Sequence, residues 1–203
     1  LGLAGSLSVP VAAGGLVVFA HGSGSSRLSP RNRAVAEALN AQGFATLLFD
    51  LLTVEEEAIR RNVFDIALLG QRVVEAIQWA SREPLTRPLA LGLFGASTGA
   101  AAALVAAASL AGTSVRAIVS RGGRPDLAGA ALARVRAPTL LIVGSRDGEV
   151  LALNQWALAQ MQGDHALEIV QGATHLFMEP GALDQVIALA ARWFKGRLAA
   201  GAP

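Results

Sequence analysis

The 203-residue chain contains no cysteine, which removes disulfides, thiolate metal sites and a cysteine nucleophile from consideration. Tyrosine is also absent, and aromatic residues make up only 5%. Lys195 is the sole lysine, and the other cations are scattered arginines. Their high pKa accounts for a sequence pI near 10.3 at a formal net charge of only +2. No basic run is interleaved with aromatics, so nucleic acid is not an expected partner. Long hydrophobic runs are missing too, since no apolar stretch reaches the ~18 to 20 residues that cross a bilayer. No membrane partner is therefore expected. The opening "LGLAGSLSVP" has no positively charged start and is too short to be judged a signal remnant. The cytoplasm is the expected location. Because the numbering starts at Leu1 and not at methionine, an upstream segment is expected outside it.

What is present is a great deal of alanine, valine and leucine: 53% of the residues are hydrophobic, enough for one full core without staples. The expectation is a single domain over residues 1–203. Runs at Leu16–Ala20, Ala45–Asp50, Leu89–Phe94, Val115–Ser120, Thr139–Val143 and Ala166–Val170 read as strands, and most are continuous apolar runs, as expected of parallel strands covered on both faces. Leu7–Val11 reads as an antiparallel edge. Helices are expected over Arg31–Gln42, Phe64–Ser81, Thr98–Leu110, Val150–Met161 and Leu183–Leu198, with Gly43, Gly112 and Gly163 closing three of them. Glu55, Glu56 and Glu57 read as a helix start, where negative charge is favourable. Strict alternation of the two element types implies a doubly wound, mostly parallel α/β sheet with right-handed crossovers. Ligands in such sheets bind at the carboxyl ends of the strands.

Four of those strand ends carry chemistry: "HGSGSSR" (His21 to Arg27), "GASTG" (Gly95 to Gly99), "GSRDGEV" with Asp147, and "GATHLF" with His175. Gly-x-Ser-x-Gly is a weak pattern alone. Here it falls between a buried strand and a helix, where a nucleophile elbow needs glycines on both sides of a strained serine. A serine hydroxyl needs a base to take its proton, and His175 is the candidate, with Asp147 to orient it. Glu149 and Asp126 are rival acids. His165 reads as an exposed strand entry without a catalytic task. The backbone N–H groups of Thr98 and Ser23 are the expected oxyanion donors, with Gly22 and Gly24 permitting close approach. His21 is expected to brace that loop, ahead of a general-base role, and is also a candidate substrate contact. In "SRGGRPD", Arg121 and Arg124 could grip a substrate carboxylate or phosphate; the competing reading is solvated arginines, or an arginine paired with Asp126. Ser29 and Pro30 suffice as a helix cap and first turn.

Taken together, the HG-x-G loop, "GASTG", "VGSRDGEV" and "GATHLF" resemble an α/β-hydrolase, specifically a small dienelactone-hydrolase-like protein, from Leu16 to Phe194. The resemblance implies the triad Ser97, Asp147 and His175, an acyl-enzyme, and no metal or organic cofactor. Dienelactone hydrolases proper use a cysteine where this chain has Ser97, so lactone specificity does not carry over and carboxylesterase action on small or short-chain esters becomes the expectation. Only Arg121 to Pro138 separates the strands between which relatives insert a lid, so no lid domain is expected. Relatives of this type are sometimes joined to phosphoribosyltransferase-like domains. Acyl transfer, perhydrolysis or lactone hydrolysis on the same triad are the alternatives, with a non-catalytic binding domain on the same scaffold as the distant one.

Overall fold

Strands β2 (Leu16–Ala20), β3 (Ala45–Phe49), β4 (Leu91–Ala96) and β6 (Thr139–Gly144) are buried at every residue, as their unbroken apolar sequences require. The computed structural model describes residues 2–110 and 115–198. With β1 (Gly5–Ser8), β5 (Val115–Arg121) and β7 (His165–Val170) these strands form one sheet in the order β1-β3-β2-β4-β5-β6-β7. Only β1 is antiparallel, against β3. Helices α1 (Pro30–Ala41) and α7 (Ala182–Leu198) cover one face. Helices α4 (Ile66–Ala80), α5 (Thr98–Ser109) and α6 (Gly148–Gln160) cover the other, with a 3-10 segment, Pro125–Arg134, that Gly129 kinks. This is the α/β-hydrolase fold.

The strand order reverses between β2 and β4. From β2 the chain moves outward to β3, and from β4 it moves the opposite way through β5, β6 and β7. The loops after β2 and β4 therefore diverge and leave a crevice at the carboxyl edge, the usual ligand position in an open α/β sheet.

Several boundaries differ from expectation for local reasons. The edge strand ends at Ser8 because Pro10 has no N–H to pair and Ala12 turns with φ +56°. Turns through Glu83 to Leu89 delay β4, which then runs directly into the serine at its end. Strand β5 extends one residue further, to Arg121, with consequences for that side chain. Asp65 caps α4, and two short helices precede it, α2 (Val54–Glu57) and α3 (Arg60–Val63). The glutamate run does begin a helix, closed by a capping box between Thr53 and Glu56. Gly43 and Gly163 have the left-handed φ of helix-terminating residues, +84° and +112°. Gly112 lies outside the described residues. Between β5 and β6 there is only the 3-10 segment, and no lid is evident.

Candidate active site

Ser97 follows β4 and precedes α5 with φ +50° and ψ −123°, a conformation costly for any residue with a Cβ. The neighbours explain how the turn closes. A Cβ on Gly99 would lie 2.2 Å from the Ala20 carbonyl oxygen and 2.4 Å from that of His21. One on Gly95 would lie 2.4 Å from Ala100 Cα. Both approaches are to backbone, which cannot step aside. The Ser97 N–H donates to the Arg121 carbonyl (3.3 Å), and the Ser97 carbonyl accepts from Arg124 N–H (3.0 Å), so β5 and its loop hold the turn from one side.

Asp147 and His175 are 28 residues apart and meet because β6 and β7 pair in parallel and their loops stay paired beyond the sheet. Ser145 N–H donates to Val170 O (3.0 Å) and Arg146 N–H to Ala173 O (2.9 Å). His175 Nδ1 then lies 2.6 Å from Asp147 Oδ2. Asp147 is the N-cap of α6 but makes no side-chain capping bond. The histidine loop is fixed by Phe177, a fully buried ring with φ +53°. The link between the two halves is Gly122, whose Cβ, if present, would lie 3.5 Å from His175 Nδ1. The Asp147–His175 bond is made in this geometry; a Ser97–His175 hydrogen bond is not.

His21 is different. Leu51 N–H donates to its Nε2 (3.0 Å), so Nδ1 carries the proton and donates to Gly22 O (3.0 Å). Burial holds its pKa below the usual 6.5 against opposing pulls from the Gly22 bond, Asp50 and Glu57. With both nitrogens committed to backbone it braces the β2 loop and has no nitrogen left to contact substrate. His165 opens β7 at the opposite edge of the sheet.

Three expected contacts are relocated. The Ser23 N–H is not a free oxyanion donor at rest, because it donates to Thr98 Oγ1 (2.9 Å). Thr98, as the first residue of α5, has a backbone N–H with no acceptor inside the helix. Arg124 does not face a substrate, since its guanidinium is held bidentately by Asp126 (2.9 and 2.8 Å). That pairing also removes Asp126 as a partner for His175. Arg121 does not reach the rim, because the extra strand residue turns its side chain into the sheet face under α1, where it is 8% exposed. Glu149 sits in the first turn of α6, exposed.

A cleft of about 270 Å³ opens beside Gly22, whose Cα faces Ser97. Leu51, Leu52, Val54 and Val63 form its apolar wall, and Glu57 and the Arg27–Asp50 ion pair its polar one. A larger groove, about 510 Å³, lies between β1 and α4, away from these residues. Among the described residues no group of three or more metal-ligating side chains converges, and no helix is long and apolar enough to cross a membrane.

The sequence profile of the alpha/beta hydrolase domain family matches residues 13–187. The chain belongs to the α/β-hydrolase family. Within it this hydrolase-fold chain is dienelactone-hydrolase-like: it superposes on a dienelactone hydrolase from Anabaena variabilis with a TM-score of 0.94 and 56% identity, covering 97% of this chain and 92% of that one. An alpha-beta serine hydrolase homologue from Coxiella burnetii shares the fold at a TM-score of 0.78 and 18% identity, over 94% and 90% of the two chains. Two Mycobacterium tuberculosis proteins, one from each of two strains and both provisionally named phosphoribosyl transferases, are 60% identical over 201 residues. That match covers 99% of this chain but 45% of each relative, so the chain spans less than half their length.

Sequence reasoning missed the Thr98–Ser23 tie and the approach of α1 to Arg121. A signal for the second existed: the first turn of α1 has no acidic residue and holds Arg31, against the helix dipole.

Proposed function

We propose that the chain is a serine hydrolase cleaving small or short-chain esters through an acyl-enzyme. Ser97 Oγ attacks the carbonyl carbon while His175 Nε2 accepts its proton. Asp147 keeps the proton of the neutral imidazole on Nδ1 and stabilises the imidazolium that forms. His175 returns the proton to the leaving alcohol, and a water then attacks the acyl-enzyme by the same route. Thr98 N–H is the first oxyanion donor. The Ser23 amide becomes the second by exchanging Thr98 Oγ1 for the developing negative oxygen, which is the stronger acceptor. Neither step calls on a metal or organic cofactor.

The observation that carries this reading is the 2.6 Å Asp147–His175 bond on the same edge of the sheet as a backbone-strained serine with no capping bond. The 270 Å³ cleft is lined by none of Ser97, Asp147 and His175 but reaches Gly22, which packs on Ser97, and so supports room for a short acyl chain; the lack of a lid supports an open entrance. A cyclic ester is the second reading, favoured by the 56% identity to a protein named dienelactone hydrolase. The phosphoribosyl transferase name belongs to proteins more than twice as long and is not carried to this site. A fluorophosphonate probe tests the proposal: covalent labelling of the folded protein that Ser97→Ala abolishes is the expected result, and failure to label folded protein overturns it. Linear esters graded by acyl length, run beside a five-membered lactone, separate the two readings.

A further inference from the structure

Arg121 is a buried cation without a counter-charge. Its side chain is 8% exposed, and its one protein partner among the described residues is Asn32 Oδ1, 3.3 Å from Nη2. Nη1 is buried with no partner at all. Asn32 is the third residue of α1, so the guanidinium is directed at the first turn of that helix, its positive end. The second residue of the same turn is Arg31, whose Nε is likewise buried and unpartnered. The Arg31 backbone N–H has no acceptor, because the Ser29 hydroxyl and carbonyl already take the N–H groups of Asn32 and Arg33. No ion pair is made by Arg31 or Arg121 among the described residues, whereas Arg72, also buried, has two glutamates. Burial, reinforced by the positive charge of Arg31, pushes Arg121 down to about 10, still leaving it charged at neutral pH. Two arginines and a helix start, all positive, converge where a folded protein ordinarily supplies a carboxylate.

We propose that Arg121, Arg31 and the first turn of α1 form a receptor for one carboxylate or phosphate group. Planar guanidinium forks and a helix N-terminal N–H are the donors that suit such an oxyanion. Arg31 is only half-buried and forms the entrance, and Arg121 is the floor. The Arg121 backbone adjoins the candidate nucleophile, as the register partner of Ala96 and through its carbonyl, which accepts the Ser97 N–H, while its side chain lies toward α1. The inference stands on the arginines and not on the hydrolase reading.

The test is anion binding by the intact protein. Thermal unfolding is followed as sodium acetate or sodium phosphate is titrated at ionic strength held constant with sodium chloride. A saturable rise in Tm that Arg31→Gln and Arg121→Gln each abolish is the expected result. No saturable rise, or a rise that persists in Arg31→Gln, overturns the proposal; the Arg31 variant decides the matter if Arg121→Gln does not fold. Source is separated with two esters of similar size, ethyl hydrogen succinate and ethyl butyrate. At least a tenfold preference in kcat/KM for the anionic ester, erased by Arg31→Gln, assigns the group to the substrate. Equal rates with the Tm effect intact assign it to a free ion. Absence of hydrolysis of either ester, with the Tm effect intact, would strike the hydrolase reading and leave the receptor standing.

Discussion

Helix starts with serine, threonine or aspartate at the N-cap fall into two kinds among the described residues. Ser29, Thr53 and Asp65 each occupy an N-cap, and each side-chain oxygen accepts a backbone N–H from the first turn of its helix. Ser97 and Asp147 occupy the same position on α5 and α6, are of the same residue types, and make no such bond. The first group does what serine, threonine and aspartate do at helix starts, contributing about 1 kcal/mol apiece. The second group forgoes it. Asp147 turns its carboxylate to His175, and Ser97 is held in a strained backbone conformation without a capping bond. A polar N-cap that does not cap, at the carboxyl edge of a sheet, marks side chains positioned for something other than the stability of the helix.

The largest expected effect breaks the second group. Ser97→Ala or His175→Ala should lower kcat on a short-chain ester by on the order of 10³-fold or more. Because Ser97 makes no capping bond, Tm should not fall in Ser97→Ala. Ser97→Gly sharpens the point: glycine accepts φ +50° without strain, so Tm should rise while activity is abolished. Equal Tm losses in the Ser97 and capping variants would erase the distinction. Asp147→Asn comes next, at about 10²- to 10⁴-fold in kcat, since the amide no longer fixes the tautomer of His175. Retained activity there would hand the acid role to Glu149.

Gly99→Ala tests the turn separately from its hydroxyl. The added methyl meets two backbone carbonyls within 2.4 Å, so a loss of about 2 to 3 kcal/mol is expected by chemical denaturation, with nucleophile and base both still present. Asp65→Ala, from the capping group, should cost about 1 kcal/mol and leave kcat unchanged. A fall in kcat with stability intact would reverse the assignment of the two groups.

The parallel strands and the elbow were legible in the sequence because both are local. Continuous apolar runs declare buried strands, and a serine between glycines at a strand end declares the turn. Asp147 and His175 were legible for a related reason, as each directly follows a strand and parallel strands bring their ends together. The arginines were not. Whether β5 stops at Ser120 or Arg121 is a single-residue question, and the answer moves a side chain from the rim to the interior of the α1 face. Arg124 was equally ambiguous, because its partner Asp126 is close enough in sequence to pair or to turn away. The bond of the Ser23 amide to Thr98 was not legible, because the hydroxyl that takes it is 75 residues distant and no local pattern encodes that contact.

The smallest expected effect concerns the second histidine at a strand end. His21 and His175 both follow strands on the same edge, but His21 has backbone on both nitrogens and a pKa held below 6.5 by burial. Above pH 6.5 it is neutral in the folded and unfolded chains alike, and its contribution to stability is complete. As the pH falls below 6.5 the unfolded chain takes up the proton first, so stability is lost until the folded protein also protonates. Urea unfolding from pH 7.5 to pH 5 should therefore show a decline that His21→Gln flattens, even though that variant starts less stable for want of the imidazole's two bonds. The contribution of the remaining groups is common to both proteins and cancels in the difference. An equally steep decline in the variant would mean that His21 does not govern this window, and that its bonds to Leu51 and Gly22 survive protonation.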